Sequence, residues 1–150
     1  TGTLEKACGV LSNVSEGPLA EAIANAQGVS IVVEAMRSNF QCAPLLETGC
    51  VVLRNILVQF PDFSSEAEGA ISTIINAMRD HPKEVDFQRE ACNALWVMAA
   101  QSENCQAKIL ALDGVTVLMK SLGHNNEIPK VQKAAWGAFN QLAVDPMNFT

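Results

Sequence analysis

The feature that most limits what this chain can fold into is self-similarity at a fixed period. Three stretches align without a gap: 3–14, 45–56 and 87–98. Each carries a small residue (Ala7, Gly49, Ala91), then a cysteine (Cys8, Cys50, Cys92), then a leucine three positions on (Leu11, Leu53, Leu95), and the cysteines are 42 residues apart. A fourth stretch, 131–142, continues the register after 44 residues, with Ala135 standing under Ala91. A second element repeats in the same frame. Residues 28–37 align with 70–79 at a spacing of 42, and with 114–122 at 44. Two independent elements therefore lengthen together between the same copies, which one chance match would not do. Periods of this length mark arrays whose units cannot hide their own apolar faces and must stack on neighbours.

Each unit reads as helix. Val29, Val32, Val33 and Met36 fall at i, i+3, i+4 and i+7, one face of a 3.6-residue period. Leu11 with Val14, Leu53 with Ile56 and Leu95 with Met98 keep the i, i+3 spacing in the later element. Small residues at Ala7, Gly49, Ala91 and Ala135 allow close helix approach. Pro44, His81-Pro82, and 123–126 with Pro129 are read as breaks between helices; Glu16-Gly17-Pro18, Phe60-Pro61-Asp62 and Ala143 to Pro146 as breaks between units. Gly28 and Gly114 stand where a short first helix must turn sharply into the second. A unit is then a short, a medium and a long helix. The expected class is all-α, with repeat elements about 3–16, 18–60, 62–101 and 104–144 in one domain over 1–150.

Composition agrees and excludes much else. Hydrophobic residues are 49% of the 150, aromatics 5%, and there is no Tyr, a balance that favours helix over sheet. The net charge of −6 argues against non-specific nucleic-acid binding, and no apolar run reaches a membrane-spanning length. Five cysteines are an odd number, without C-x-x-C or C-x-x-H spacing, so neither a disulfide framework nor a zinc site is expected. His81 and His124 have no partner set nearby in sequence. We expect a reduced, cytoplasmic setting, with the nucleus open as an alternative, and Cys8, Cys50 and Cys92 in a row down the stack, roughly 10 Å apart. The triplets Asn13-Val14-Ser15 and Asn148-Phe149-Thr150 carry little weight as glycosylation signals. No nucleotide-binding, nucleophile-elbow or H-E-x-x-H motif occurs. Glu66 with Glu68, and Asp80 with Glu84, read as surface carboxylates. No enzyme, cofactor or metal is expected.

At this point the residues resemble armadillo repeats. The stretch from Gln106 to Val115 looks like that family's first helix, turn and start of the second; 9–15, 51–56 and 137–143 look like its third-helix motif. The resemblance implies a right-handed α-solenoid of about three full repeats plus a leading third helix. The unit at 62–101 departs from it, because its first helix at 64–69 is short, as in a two-helix HEAT repeat. The leading third helix lacks its two predecessors, so an open end is expected that a preceding repeat or a second copy of the chain would cover.

The resemblance further implies a non-catalytic interaction module that binds a protein segment along a groove lined by third helices. In peptide-binding members an Asn at a fixed third-helix position bonds the ligand backbone, whose amide groups are otherwise unpaired. The matching positions are Asn13, Asn55, Val97 and Gln141. One turn earlier, where import receptors carry Trp, stand Gly9, Val51, Asn93 and Gly137, so import of basic cargo is not expected. Ser12, Arg54, Trp96 and Asn140 lie alongside. Trp96 and Trp136 are each read either as a groove anchor or as core packing, with packing preferred for Trp136, and Asn13 and Asn55 as groove lining or as ties between repeats. Glu5, Glu47, Arg89 and Lys133 form a row whose sign flips halfway, which reads as solvated helix-start charge or as a match for a ligand with opposite ends. The alternative function is a structural spacer within a larger scaffold or signalling protein.

Overall fold

The computed structural model describes residues 27–125 and 127–143, and they are all-helical. Eight α-helices follow one another among the described residues: α1 Gly28–Ser38, α2 Ala43–Gln59, α3 Ser64–Ala67, α4 Ala70–Asp80, α5 Val85–Gln101, α6 Glu103–Ala111, α7 Gly114–His124 and α8 Pro129–Ala143. A 3-10 turn, Pro61–Phe63, leads into α3. The short, medium and long helices expected of a unit are present as α3-α4-α5 and α6-α7-α8. The first helix at 64–67 has only four residues, as its sequence implied.

The helices associate by type. The long helices lie side by side in order, α2 against α5 and α5 against α8; the medium helices do likewise, α1 against α4 and α4 against α7; α3 touches α6. Within each unit the medium helix also packs on its long helix. The apolar stripes thus meet in one continuous core that runs from Val29 to Leu142. Burying such stripes is the main favourable term in a fold of this kind, at about 25 cal/mol per Å2 of apolar surface. Among the described residues Cys50, Cys92 and Cys105 are buried and Cys42 half-buried; Cys8 lies outside the described residues.

The repeat is visible in backbone hydrogen bonds. Between medium and long helix the chain makes the same turn three times: Cys42 N–H donates to Asn39 carbonyl at 2.9 Å, Glu84 to His81 at 3.2 Å, and Ile128 to Asn125 at 3.0 Å. The next bonds also match, from Leu46 to Cys42, Gln88 to Glu84 and Gln132 to Ile128. These donors and acceptors keep the 42- and 44-residue spacing of the sequence. The Asn39 and Asn125 side chains donate back to the carbonyls four residues earlier, at 2.9 and 3.0 Å. At the middle turn His81 instead sets its ring edge-on to Phe87 at 6.2 Å, and its buried Nε2 has no hydrogen-bond partner. Gln88 bridges the same turn by donating to the carbonyls of Met78 and His81.

Three expectations need correction. The sharp turns into α1 and α7 are made by Gln27 (φ 65°) and Asp113 (φ 61°), and no described glycine has positive φ. Gly114 is required for closeness instead: a Cβ there would fall 2.4 Å from Ile109 Cγ2 and 2.8 Å from its carbonyl oxygen. Pro44 and Pro129 do not separate helices but sit in the first turns of α2 and α8, where the missing N–H would have had no intrahelical partner. Gly123 and His124 belong to the last turn of α7.

Candidate functional site

The long-helix layer α2-α5-α8 carries the residues singled out in the sequence. Each long helix buries one side and leaves a stripe accessible at helical spacing. On α2 the stripe runs through Glu47, Val51, Arg54 and Val58; on α5 through Arg89, Asn93, Trp96 and Ala100; on α8 through Lys133, Gly137 and Asn140. Equivalent positions of the repeat thus recur on neighbouring helices, in the order Arg54, Trp96, Asn140.

These side chains differ in what they touch. Arg54 is half-buried and reaches from α2 to α5, where its Nη1 is 2.9 Å from Glu90 Oε2. Its Nε and Nη2 also lie 3.4 Å from Asn55 Oδ1. Glu90 is buried and takes a second partner, Arg89 Nε at 3.2 Å. Trp96 is partly buried and packed against the core. It spans from α5 to α8, with its six-membered ring so near Gly137 that a Cβ would come within 2.5 Å of Cε3. Asn140 is exposed, and Gln141 is half-buried with its carbonyl accepting from Gln106 Nε2 at 3.2 Å. Asn55 lies beside the stripe at 9% exposure, and its carbonyl accepts from Gln59 Nε2. Asn13 lies outside the described residues, as do Ser12, Gly9 and Glu5.

Trp136 is not core packing. It is 52% exposed and meets Phe139 edge to face at 5.6 Å. The reason is positional. In the repeat register Trp136 stands where Cys50 and Cys92 stand, and those two are fully buried on α2 and α5. Helix α5 lies beside α2, and α8 beside α5; among the described residues no further long helix lies beside α8.

The electrostatics follow the same layout. Burial raises the Glu47 carboxyl above its ordinary value, and Asp86 and Glu90 across the α2–α5 seam add to it, against the lowering effect of Arg89. Arg89 and Lys133 hold the positive half of the row begun by Glu47. Burial also pushes the Cys92 thiol up to about 12, opposed by its hydrogen bond to Ser121, and raises Cys50 still further. Thiols held protonated in this way are poor nucleophiles and poor ligands. Among the described residues no three His, Cys, Asp or Glu side chains could hold a metal ion together, and no helix is long and apolar enough to cross a membrane. No protein-family model matches the chain, and comparison with curated proteins and with solved structures gives no significant match.

Proposed function

We propose that this chain is an armadillo-like α-solenoid segment, a non-catalytic module that holds an extended segment of a partner protein across its long-helix layer. One observation carries the reading: equivalent positions of successive repeats place Arg54, Trp96 and Asn140 in order on three adjacent helices. An extended ligand crossing them would meet a charge, an aromatic surface and an amide at regular intervals. Asn140 and Gln141 offer amide groups to the ligand backbone, and Trp96 an apolar platform. Arg54 and Asn55 stand at the other end; Asn13, which matches Asn55 in the sequence register, lies outside the described residues.

The spacer reading has its own support. Arg54 and Trp96 each spend much of their surface on the next helix, and Asn55 is nearly covered. If the layer serves only to join repeats, its accessible stripe binds nothing. The two readings separate in one experiment. Extended peptides are selected from a random library against the full chain, and their contacts are mapped by NMR. The interaction reading expects micromolar peptides that shift resonances of Asn93, Trp96 and Asn140, and lose at least tenfold in affinity with Asn140→Arg. Lys120→Glu, on α7, should leave that affinity unchanged. Failure to select any peptide, or contacts mapped only to α1, α4 and α7, would reject it in favour of the spacer.

A further inference from the structure

The medium-helix layer contains a cavity that the reading above does not use. It lies on the seam between α4 and α7, has a volume of about 340 Å3, and is walled by Met78, Pro82 and Val117. Met78 and Val117 are almost fully buried, so this wall is set by the core. Among the described residues, the ionisable side chains that line the cavity are all basic: Arg79, Lys120 and His124. Arg79 is held in place, with Nη2 donating to Leu112 carbonyl at 2.9 Å and Nη1 to Asn76 Oδ1 at 3.0 Å. Among the described residues none of these three side chains has a carboxylate within ion-pair distance. Asp80, the neighbour of Arg79, is exposed and is not part of the lining. In a chain of net charge −6 this is a local reversal of sign beside an apolar wall.

We propose that this cavity binds a small amphipathic carboxylate, with its apolar tail against Pro82 and the accessible edges of Met78 and Val117 and its charged end among Arg79, Lys120 and His124. Small-molecule sites combine an apolar lining with a few placed polar groups, and this one supplies both. Its volume accommodates about ten non-hydrogen atoms at roughly 30 Å3 each, the size of an eight-carbon fatty acid. The charges of Arg79 and Lys120, with the imidazole of His124 beside them, select a monoanion over a neutral or cationic molecule of the same shape. The site is built mainly from α4, α7 and the turn after α4, with Gln88 alone from α5, and stands or falls independently of the proposed partner surface.

The test is a titration of the full chain with sodium octanoate, kept below micelle formation, followed by amide chemical shifts. 1-Octanol and octylammonium serve as controls of equal tail length. Saturable shifts at Met78, Val117, Ser121 and His124 are expected. Octanol should bind at least tenfold more weakly, and octylammonium more weakly again. Lys120→Glu changes an exposed residue, so the fold should persist by circular dichroism while octanoate affinity falls at least tenfold. Val117→Met narrows the apolar wall and should weaken octanoate and octanol alike. The proposal is overturned if octanoate gives no saturable shifts at these residues. It is equally overturned if octanol binds as well as octanoate, or if Lys120→Glu leaves the affinity unchanged.

Discussion

The seams between α2 and α5 and between α5 and α8 have the same place in successive repeats, yet they are closed by different chemistry. At the first, Arg54 crosses to Glu90 and makes a charge-assisted bond at 2.9 Å. At the second, the equivalent residue is Trp96, which lies on Gly137. A polar seam depends on pairing: each charge must find its partner once water is removed. An apolar seam depends on shape: the ring needs a facing residue without a side chain. The contrast shows that the repeat conserves helix placement and leaves the contact residues free to differ. It also explains why the alignment fades at these positions while the turns at 39–42, 81–84 and 125–128 remain alike.

The seams should fail differently. The largest effect is expected where shape decides. Gly137→Leu drives a side chain into the space held by the Trp96 ring. Overpacking of this kind costs about 3 kcal/mol at the upper end of its usual range, more than the roughly 1 kcal/mol gained in helix propensity by removing glycine. The cost should shrink by more than 1 kcal/mol in a Trp96→Ala background, a coupling within the range for contacting residues. Urea denaturation of the four proteins in the cycle measures it. Additive effects would mean that ring and glycine are independent.

At the polar seam Glu90→Ala should cost about 1–2 kcal/mol. The bond lost is charge-assisted, but the Arg54 side chain, at 28% exposure, can turn toward water. Raising the salt concentration should narrow the gap between Glu90→Ala and the unchanged chain. It should leave the gap for Gly137→Leu as it is. Thermal melts at low and high salt compare the two directly.

Much of this arrangement is legible in the sequence, and what is missed has a common cause. The register of 42 and 44 residues finds the recurring medium and long helices and the short α3, because helical period is local, whereas the breaks read at Pro44, Gly123, His124 and Pro129 fall inside helices. Trp136 shows where local reading stops. Its register position is buried in two copies, and the sequence reads it as core, but burial depends on which helix lies alongside. The pairing of Trp96 with Gly137 is long-range in the same sense; the signal available was a Trp in the slot of Arg54 and Asn140, met by a glycine on the next long helix. Gly28 and Gly114 are legible as special, but for the wrong reason. The left-handed residue is the one before each, and Gly114 is small because Ile109 lies against it.

The thiols offer a third comparison between the seams. Cys92 has an ordinary value of 9.0 and is raised to about 12 in the fold. The unfolded chain therefore loses this proton first as pH rises. Folding stability from Cys92 is intact below about pH 9 and declines between about 9 and 12, because the unfolded state binds fewer protons there. A Cys92→Ala chain should show a shallower loss of melting temperature across that interval. Alkylation at pH 8 should label half-buried Cys42 before Cys50, Cys92 or Cys105. Rapid labelling of Cys92 in the folded chain would show that this seam opens readily.

The smallest effect is expected at Glu47, on the polar seam. Its carboxyl is raised by burial and by Asp86 and Glu90, so ionisation costs more in the folded chain than in the unfolded one. The sign follows from proton binding. A carboxyl with a raised folded value takes up its proton sooner in the fold, and its charge detracts from stability once pH exceeds that value. Glu47→Gln removes the charge and keeps the shape. It should stabilise the chain at pH 7 by a few tenths of a kcal/mol, the scale of an exposed or half-buried charge pair. The advantage should vanish as pH falls below the ordinary carboxyl value of 4.5, where Glu47 is protonated in both states. In a Glu90→Ala background the gain should be smaller at pH 7, because one of the charges that raises Glu47 is gone. An unchanged gain there would mean that burial alone sets Glu47, and that the charges of the polar seam do not act on it as a group.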